Sequence, residues 1–239
     1  MKLLNKLLVF NSSRQRLWQQ NADFAKLVPP HSLVLDAGAG DSPYRGLFSH
    51  AKYESADFEM VTSKQYGQST YVCDLKNIPV EDARFDFILF NQVMEHLSEP
   101  AAVLKELHRV LKPGGQLIYS APLYYEEHDL PYDFFRYTQF GARYLFTSAG
   151  FEIKKLEWLE GYFGTMAYQF SGMARYLPSR PGLFKLGAVG WILAPLALAL
   201  RVQCALLSFF LHKLEMRSKL VTAGYPKNYV AVLMKPKSI

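Results

Sequence analysis

Leu33-Val34-Leu35-Asp36-Ala37-Gly38-Ala39-Gly40 is the stretch on which the reading of the fold turns. A short apolar run ends in a carboxylate and gives way to small residues with two glycines. Ser32 to Asp36 reads as a buried strand, and glycines directly after such a strand let the backbone pass close to a ligand at the carboxyl edge of a sheet. A helix is expected to start near Pro43, a residue suited to a first turn, and its free N–H groups would hold an anion. Taken alone, a Gly-x-Gly turn also occurs merely to bring a strand against a helix.

Outward from this stretch, apolar strands are expected at 52–56, 70–73, 85–90 and 116–120. Upstream, a helix spans about 14–27 and is stopped by Pro29-Pro30. Downstream, 100–111 reads as a helix with Ala101, Leu104, Leu107, His108 and Leu111 on one face, ending at Lys112-Pro113-Gly114-Gly115. A helix over 138–149, a strand over 151–159 and a last strand over 228–235 follow. Short apolar strands alternating with helices imply an α/β fold, a doubly wound, mostly parallel seven-stranded sheet covered on both faces. The expected organisation is an N-terminal helical segment (1–30), a sheet domain (31–164 with 225–239), and a helical, hydrophobic and basic insertion (165–224) before the last strand.

Composition narrows the classes. Half the residues are hydrophobic and a fifth charged, the balance of a globular chain. Cys73 and Cys204 stand far apart, with no second thiol or histidine at metal-ligand spacing, so neither a disulfide framework nor a metal site is expected. The net charge of +6 is uneven: from Arg175 onward there are ten Lys/Arg and one acid, Glu215, which leaves seventeen bases against twenty acids before it. The positive charge sits in one segment, so it does not by itself argue for nucleic acid. Residues 1–10 read as a short amphipathic helix, with Leu3, Leu7 and Phe10 on one stripe, rather than as a cleaved signal.

Asp57 follows the second strand, twenty-one positions after Asp36, where an acidic side chain accepts hydrogen bonds from ribose hydroxyls. The ordered set of Val34-Leu35-Asp36-Ala37-Gly38-Ala39-Gly40, Asp57, Cys73-Asp74-Leu75, Phe85-Asp86-Phe87-Ile88 through Met94-Glu95-His96-Leu97, and Leu111-Lys112-Pro113-Gly114-Gly115 resembles class I methyltransferases. Within them it is similar to the small-molecule branch called type 11, over about 33–151. The resemblance implies S-adenosyl-L-methionine as cofactor. It implies that Asp36 with Gly38 and Gly40 holds the methionine part, Asp57 the ribose, and Asp74, followed by Leu75, the adenine; Asn91 and Gln92 lie beside the sulfonium. A third glycine common in the family is replaced by Asp41-Ser42-Pro43-Tyr44. A dehydrogenase, the rival for a glycine turn, would want Gly-x-Gly-x-x-Gly, and position 43 is proline.

For the acceptor, enzymes that methylate base amines carry Asn/Asp-Pro-Pro-aromatic after the fourth strand, and cytosine-C5 enzymes need a nucleophilic cysteine there. Asn91-Gln92-Val93-Met94 fits neither, so nucleic acid is not the expected partner. The polar, aromatic segment 121–138 follows the fifth strand, where ligands of open α/β sheets bind. In it His128 is the expected base for a hydroxyl acceptor, oriented by Asp133, with Arg136 for a phosphate or carboxylate; a structural network pinning the loop is the alternative. His96 is a weaker candidate base. The pattern His128-x-x-Pro131-x-Asp133-x-x-Arg136-Tyr137-Thr138 also resembles methyltransferases of bacterial surface-polysaccharide and glycolipid synthesis. That resemblance implies O-methylation of a sugar on a lipid-linked glycan. An apolar quinone- or sterol-like acceptor, or a non-catalytic cofactor-binding membrane scaffold, are the other readings.

In the insertion, 186–211 holds one charged residue, Arg201, and is flanked by Arg175, Arg180, Lys185, Lys213, Arg217 and Lys219. One crossing is excluded if the last strand rejoins the sheet. Two helices broken near Pro195 or Arg201 and lying in the membrane interface are expected, with a lid or dimer interface as the alternative. This puts the protein in the cytoplasm, at the inner face of the cell membrane.

Overall fold

The protein is described here by a computed structural model that covers residues 11–61 and 64–237. The amphipathic helix expected over 1–10 lies outside the described residues.

The described chain forms two compact units: Leu17–Leu159 with the residues from Asn228 onward, and Glu160–Lys227 with the residues up to Arg16. Of the described residues before the first strand, Leu17, Phe24, Ala25 and Val28 line the core of the first unit.

That first unit is a seven-stranded sheet: β1 Leu33–Ala37, β2 Lys52–Asp57, β3 Tyr71–Val72, β4 Phe85–Asn91, β5 Leu111–Pro122, β6 Glu152–Trp158 and β7 Asn228–Met234. Their spatial order is β3-β2-β1-β4-β5-β7-β6. The first five run parallel, and β7 inserts antiparallel between β5 and β6. Alternating strand residues feed two cores. Leu35, Ile88 and Leu117 enter one with Leu104, Leu107 and Phe146. Val34, Leu89 and Ile118 enter the other with Leu17, Phe24 and Phe48. A strand buried on both faces reads as a continuous apolar run, and each such side chain contributes about 1.5–3 kcal/mol.

Helix α1 (Ser12–Ala25) precedes the sheet, α2 (Pro100–Val110) joins β4 to β5, and α3 (Gln139–Ser148) joins β5 to β6. Three local expectations differ from what is seen. The buried stripe of α2 is Val103, Leu104, Leu107 and Val110, while Ala101 is exposed. Its larger apolar side chains decide which face turns inward. The helix stops before Lys112-Pro113-Gly114-Gly115 as expected, but the next strand starts earlier than 116, since Leu111 already pairs with Phe85 in β5. The breakers instead form a bulge between Leu111 and Gln116. After the glycine turn there is no α-helix near Pro43 but a four-residue 3-10 turn, Arg45–Phe48, held by the burial of Phe48. So short a turn supplies no helix N-terminus for an anion.

The second unit is built on α4 (Tyr162–Tyr176) and α5 (Val189–Arg217). Small side chains, Ala174, Cys204 and Ala205, let the two helices approach, and Ser208 Oγ donates to the Ala167 carbonyl at 2.7 Å. The expected break near Pro195 or Arg201 is absent: α5 is one helix of 29 residues with Pro195 inside it. Pro195 stands in the second turn, where it removes one hydrogen bond. The Arg201 guanidinium caps the Ala174 carbonyl in the last turn of α4 at 2.8 Å, so this charge joins the two helices rather than breaking one.

Candidate active site

At the carboxyl ends of β1, β2 and β4 lies a cavity of about 970 Å³, counting its open mouth. Gly38, Asp57, Asp74, Leu75 and Gln92 all line it. The glycine turn and the acid after β2 thus reach one ligand space, as a nucleoside site on this kind of sheet requires.

The geometry of the turn explains the residue types. Gly38 has φ +77°, and a Cβ built there would stand 2.4 Å from a methyl of Val93. Its N–H donates to the Ala56 carbonyl at 2.8 Å, while Gly40 N donates to Asp57 Oδ2 at 2.8 Å and Glu59 N to Oδ1 at 2.9 Å. Asp57 therefore ties the β1 turn to the end of β2 while facing the cavity. Each oxygen keeps a lone pair beyond its backbone bond, and those are what ribose hydroxyls need.

Three expected cofactor residues stand behind the wall. Asp36 is buried and accepts a hydrogen bond from the Tyr53 hydroxyl; burial pushes its carboxyl up to about 7 against that bond. Gly40 acts through Asp57. Asn91 donates to Asn21 Oδ1 at 2.9 Å and accepts from Ser120 Oγ at 2.8 Å, so it braces the end of β4. Gln92 takes φ +56° and bonds the Ser120 carbonyl through its N–H, which turns the chain out of the sheet and into the cavity wall.

His128, Asp133 and Arg136 do come together, but as a clasp. Asp133, its side chain almost fully enclosed, takes both Arg136 terminal nitrogens at 2.5 and 2.8 Å and the His128 backbone N–H at 2.9 Å. The guanidinium holds the Asp133 carboxyl down at about 2. Arg136 also donates to the Glu126 carbonyl, so the loop is closed on itself. None of the three lines the cavity. An arginine spent on a buried carboxylate is not available to a substrate phosphate, and the reading of this trio as a structural network describes the geometry better than the catalytic one.

The cavity is lined instead by His96, Asp129, Tyr132 and Phe134, alongside Gly38 and Asp57. His96 ends the 3-10 turn Met94–His96 after β4, and its Nδ1 lies 2.6 Å from the Tyr132 carbonyl. A carbonyl only accepts, so Nδ1 carries the proton and Nε2 presents a lone pair. Burial lowers the His96 pKa and keeps the ring neutral near pH 7. Asp129 Oδ2 is 3.7 Å from His96 Nε2 and is bonded to Lys64 Nζ at 3.0 Å. Burial works against the Asp129 charge, but the Lys64 ammonium prevails and holds its pKa low.

Sequence reasoning overlooked Asp129 and Lys64, and also the apolar wall of Phe58, Met60 and Tyr66. That segment has no helical or strand period, because it is a loop that folds back over the glycine turn, with Gly67 N donating to the Gly40 carbonyl at 2.9 Å. Exposed apolar residues directly after Asp57 were the available signal.

The strand order with β7 reversed, together with a glycine turn and an aspartate on one cavity, defines the class I methyltransferase fold. Residues 35–119 match the family described as a methyltransferase domain, type 11. Among curated relatives, the chain is 33% identical over 112 residues to the tRNA (carboxymethyluridine(34)-5-O)-methyltransferase of Arabidopsis thaliana, covering 44% of this chain and 28% of that protein. It is 30% identical over 118 residues to the malonyl-[acyl-carrier protein] O-methyltransferase of Pseudescherichia vulneris, covering 45% and 47%. The chain thus spans less than half the length of these relatives. A solved structure with the same fold is the Burkholderia thailandensis 1,6-didemethyltoxoflavin-N1-methyltransferase with its substrate and S-adenosylhomocysteine bound (TM-score 0.54, 14% identity, 96% of this chain and 80% of that one).

These relatives are named for tRNA and an acyl carrier protein, not for surface polysaccharide or glycolipid. The expectation that nucleic acid is not a partner loses its footing as well. It rested on motifs for base nitrogens and ring carbons, whereas the acceptor in the tRNA enzyme's name is an oxygen.

Proposed function

We propose that this chain is an S-adenosylmethionine-dependent methyltransferase acting on an oxygen of a membrane-proximal acceptor, with a sugar hydroxyl of a lipid-linked glycan as the leading candidate. The observation that carries the cofactor reading is the convergence of Gly38, Asp57, Asp74, Leu75 and Gln92 on one cavity. Gly38 lets the backbone approach the ligand, Asp57 takes the ribose, and Asp74 with Leu75 takes the adenine. S-adenosylmethionine supplies an electrophilic methyl group. The acceptor oxygen forms the new C–O bond as the C–S bond breaks, the electron pair stays on sulfur, and the acceptor proton leaves to a base.

Positioning is the main work of such a site. His96, neutral and with Nε2 unprotonated, is the side chain on the cavity wall suited to the proton. Calorimetric titration tests the cofactor. Binding of S-adenosylmethionine is expected to weaken at least tenfold in Asp57→Ala and to persist in His96→Gln, which loses turnover. Equal cofactor binding by wild type and Asp57→Ala would remove the reading.

The acceptor reading is supported by O-methyl transfer in the names of both relatives above and by the surface of α5. Trp191, Ile192, Leu196, Leu206 and Phe210 are exposed on this helix, which has a mean hydropathy of 1.9 over its most apolar window. At 29 residues, about 43 Å, it is long enough to cross a bilayer. Its other side is occupied by α4, however, which favours lying in the interface over crossing. Arg180, Lys185 and Arg217 at its flanks would add about 1 kcal/mol each against anionic head groups. Trp191→Glu with Ile192→Glu should release the protein from phosphatidylglycerol vesicles while cofactor binding is unchanged; full retention on the vesicles would count against membrane contact. Labelled methyl transfer is then measured into a lipid extract and into total tRNA, and label in the tRNA alone would replace the lipid-linked acceptor.

A further inference from the structure

A cluster beside the cavity is not used by the cofactor. Glu95 and His96 come from the turn after β4 and His128 from the loop after β5, and one ligand atom from each lies within 4.8 Å of the other two. Glu95 is wholly buried, yet neither of its carboxylate oxygens has a hydrogen-bond partner among the described residues. A buried carboxylate is ordinarily paired or bound to a metal. Its Oε1 lies 3.8 Å from His96 Nε2, beyond hydrogen-bonding distance.

Both imidazoles are oriented through Nδ1: His96 donates to the Tyr132 carbonyl at 2.6 Å and His128 to the Glu126 carbonyl at 3.1 Å. That leaves each Nε2 as a lone pair, the outer-shell arrangement by which metal-ligating histidines are usually held.

We propose that Glu95, His96 and His128 bind a divalent transition-metal ion beside the cavity, reaching it through His96, the one of the three that lines it. Two imidazoles and one carboxylate suit zinc, manganese, iron or cobalt and leave coordination positions open. Metal bonds of about 2.0–2.2 Å require ligand atoms about 3.3 Å apart, so the set must contract by about an ångström on loading. Asp129 Oδ2, 3.7 Å from His96 Nε2, can join as a fourth ligand by leaving Lys64. The ion's role rests on the methyl-transfer reading, although its binding does not. Its charge favours the deprotonated form of an acceptor hydroxyl. The hydroxyl proton passes to solvent, the oxygen takes the methyl carbon, and the C–S electron pair remains on sulfur. With the ion bound the Nε2 lone pair of His96 is taken by the metal, so solvent replaces His96 as the base; the proton role given to His96 above applies to the metal-free site.

Spacing along the chain did not point to this site, because only Glu95 and His96 are neighbours and the third ligand is more than thirty residues on.

The test uses the full chain, stripped with chelator and dialysed. It is titrated calorimetrically with zinc, manganese and cobalt chlorides separately, and with S-adenosylmethionine in parallel. One equivalent of at least one ion is expected, bound at least tenfold more weakly by Glu95→Gln and by His128→Ala. The second variant changes a partly exposed side chain, so it keeps the test valid if Glu95→Gln does not fold. Cobalt should add visible absorption bands that His128→Ala loses. No stoichiometric binding of any of the three ions, or binding indifferent to His128→Ala, overturns the site. If S-adenosylmethionine binds while no ion does, only the ion is withdrawn. If the ion binds while S-adenosylmethionine does not, the cofactor reading falls and the metal site stands.

Discussion

Replacing Gly38 by alanine asks whether the glycine turn is required by geometry or is a sequence ornament. Gly38 sits at φ +77°, where an L side chain costs about 1–2 kcal/mol. The new Cβ would lie 2.4 and 2.6 Å from the two Val93 methyls, against an ordinary contact of 3.4 Å or more. One side must therefore move by about an ångström, and overpacking of this kind costs about 1–3 kcal/mol. Together Gly38→Ala should lose about 2–5 kcal/mol in urea unfolding. Because Gly38 and Val93 both line the cavity, S-adenosylmethionine should bind at least tenfold more weakly. Val93→Ala removes both methyls, so the double variant should show a favourable coupling of about 1–3 kcal/mol, the steric share, while the backbone share persists. The reasoning is refuted if Gly38→Ala unfolds at the wild-type urea midpoint, or if the two substitutions are simply additive.

Two further outcomes follow from the charges. Asp36, with its folded pKa raised by burial to about 7 from the ordinary 3.8, binds a proton more readily folded than unfolded. Its contribution to stability is intact below pH 4 and is lost as pH rises towards 7, by about 4 kcal/mol at most. Asp36→Asn should be free of this loss, so urea midpoints of the two proteins at pH 5 and pH 8 should diverge at the higher pH; parallel curves would show that Asp36 is not buried as described. Arg136→Ala leaves the enclosed Asp133 carboxylate without its partner and should destabilise by about 2–4 kcal/mol. Affinity for S-adenosylmethionine should stay within twofold, and a variant of wild-type stability with weakened cofactor binding would mean that Arg136 faces the ligand after all.

The parts of the fold legible in the chain are those written in local pattern. Val34-Leu35, Ile88-Leu89 and Leu117-Ile118 are consecutive apolar pairs, and only a strand buried on both faces accommodates them. Gly38 and Asp57 were legible as site residues because turn geometry and strand spacing leave few alternatives after a buried strand. Patterns that depend on competition between faces were less legible. The stripe of α2 turned to Val103 and Val110, and Pro195 was absorbed into α5 because the apolar run on either side favoured continuing the helix.

The chain by itself determined the sheet, its two covering layers and the nucleotide edge, since strand periodicity and glycine conformations are properties of neighbouring residues. Only the tertiary structure decided the acceptor end. His96, Asp129 and Tyr132 meet there from the turn after β4 and the loop after β5, whereas His128, Asp133 and Arg136 close on one another. Which polar group faces a ligand depends on which partner claims it first. A guanidinium three residues away claimed Asp133, and no partner among the described residues claimed Glu95. Even where the partners are close in sequence, as Asp133 and Arg136 are, the same spacing fits a ligand-facing arginine, and only the fold decides which group each side chain meets.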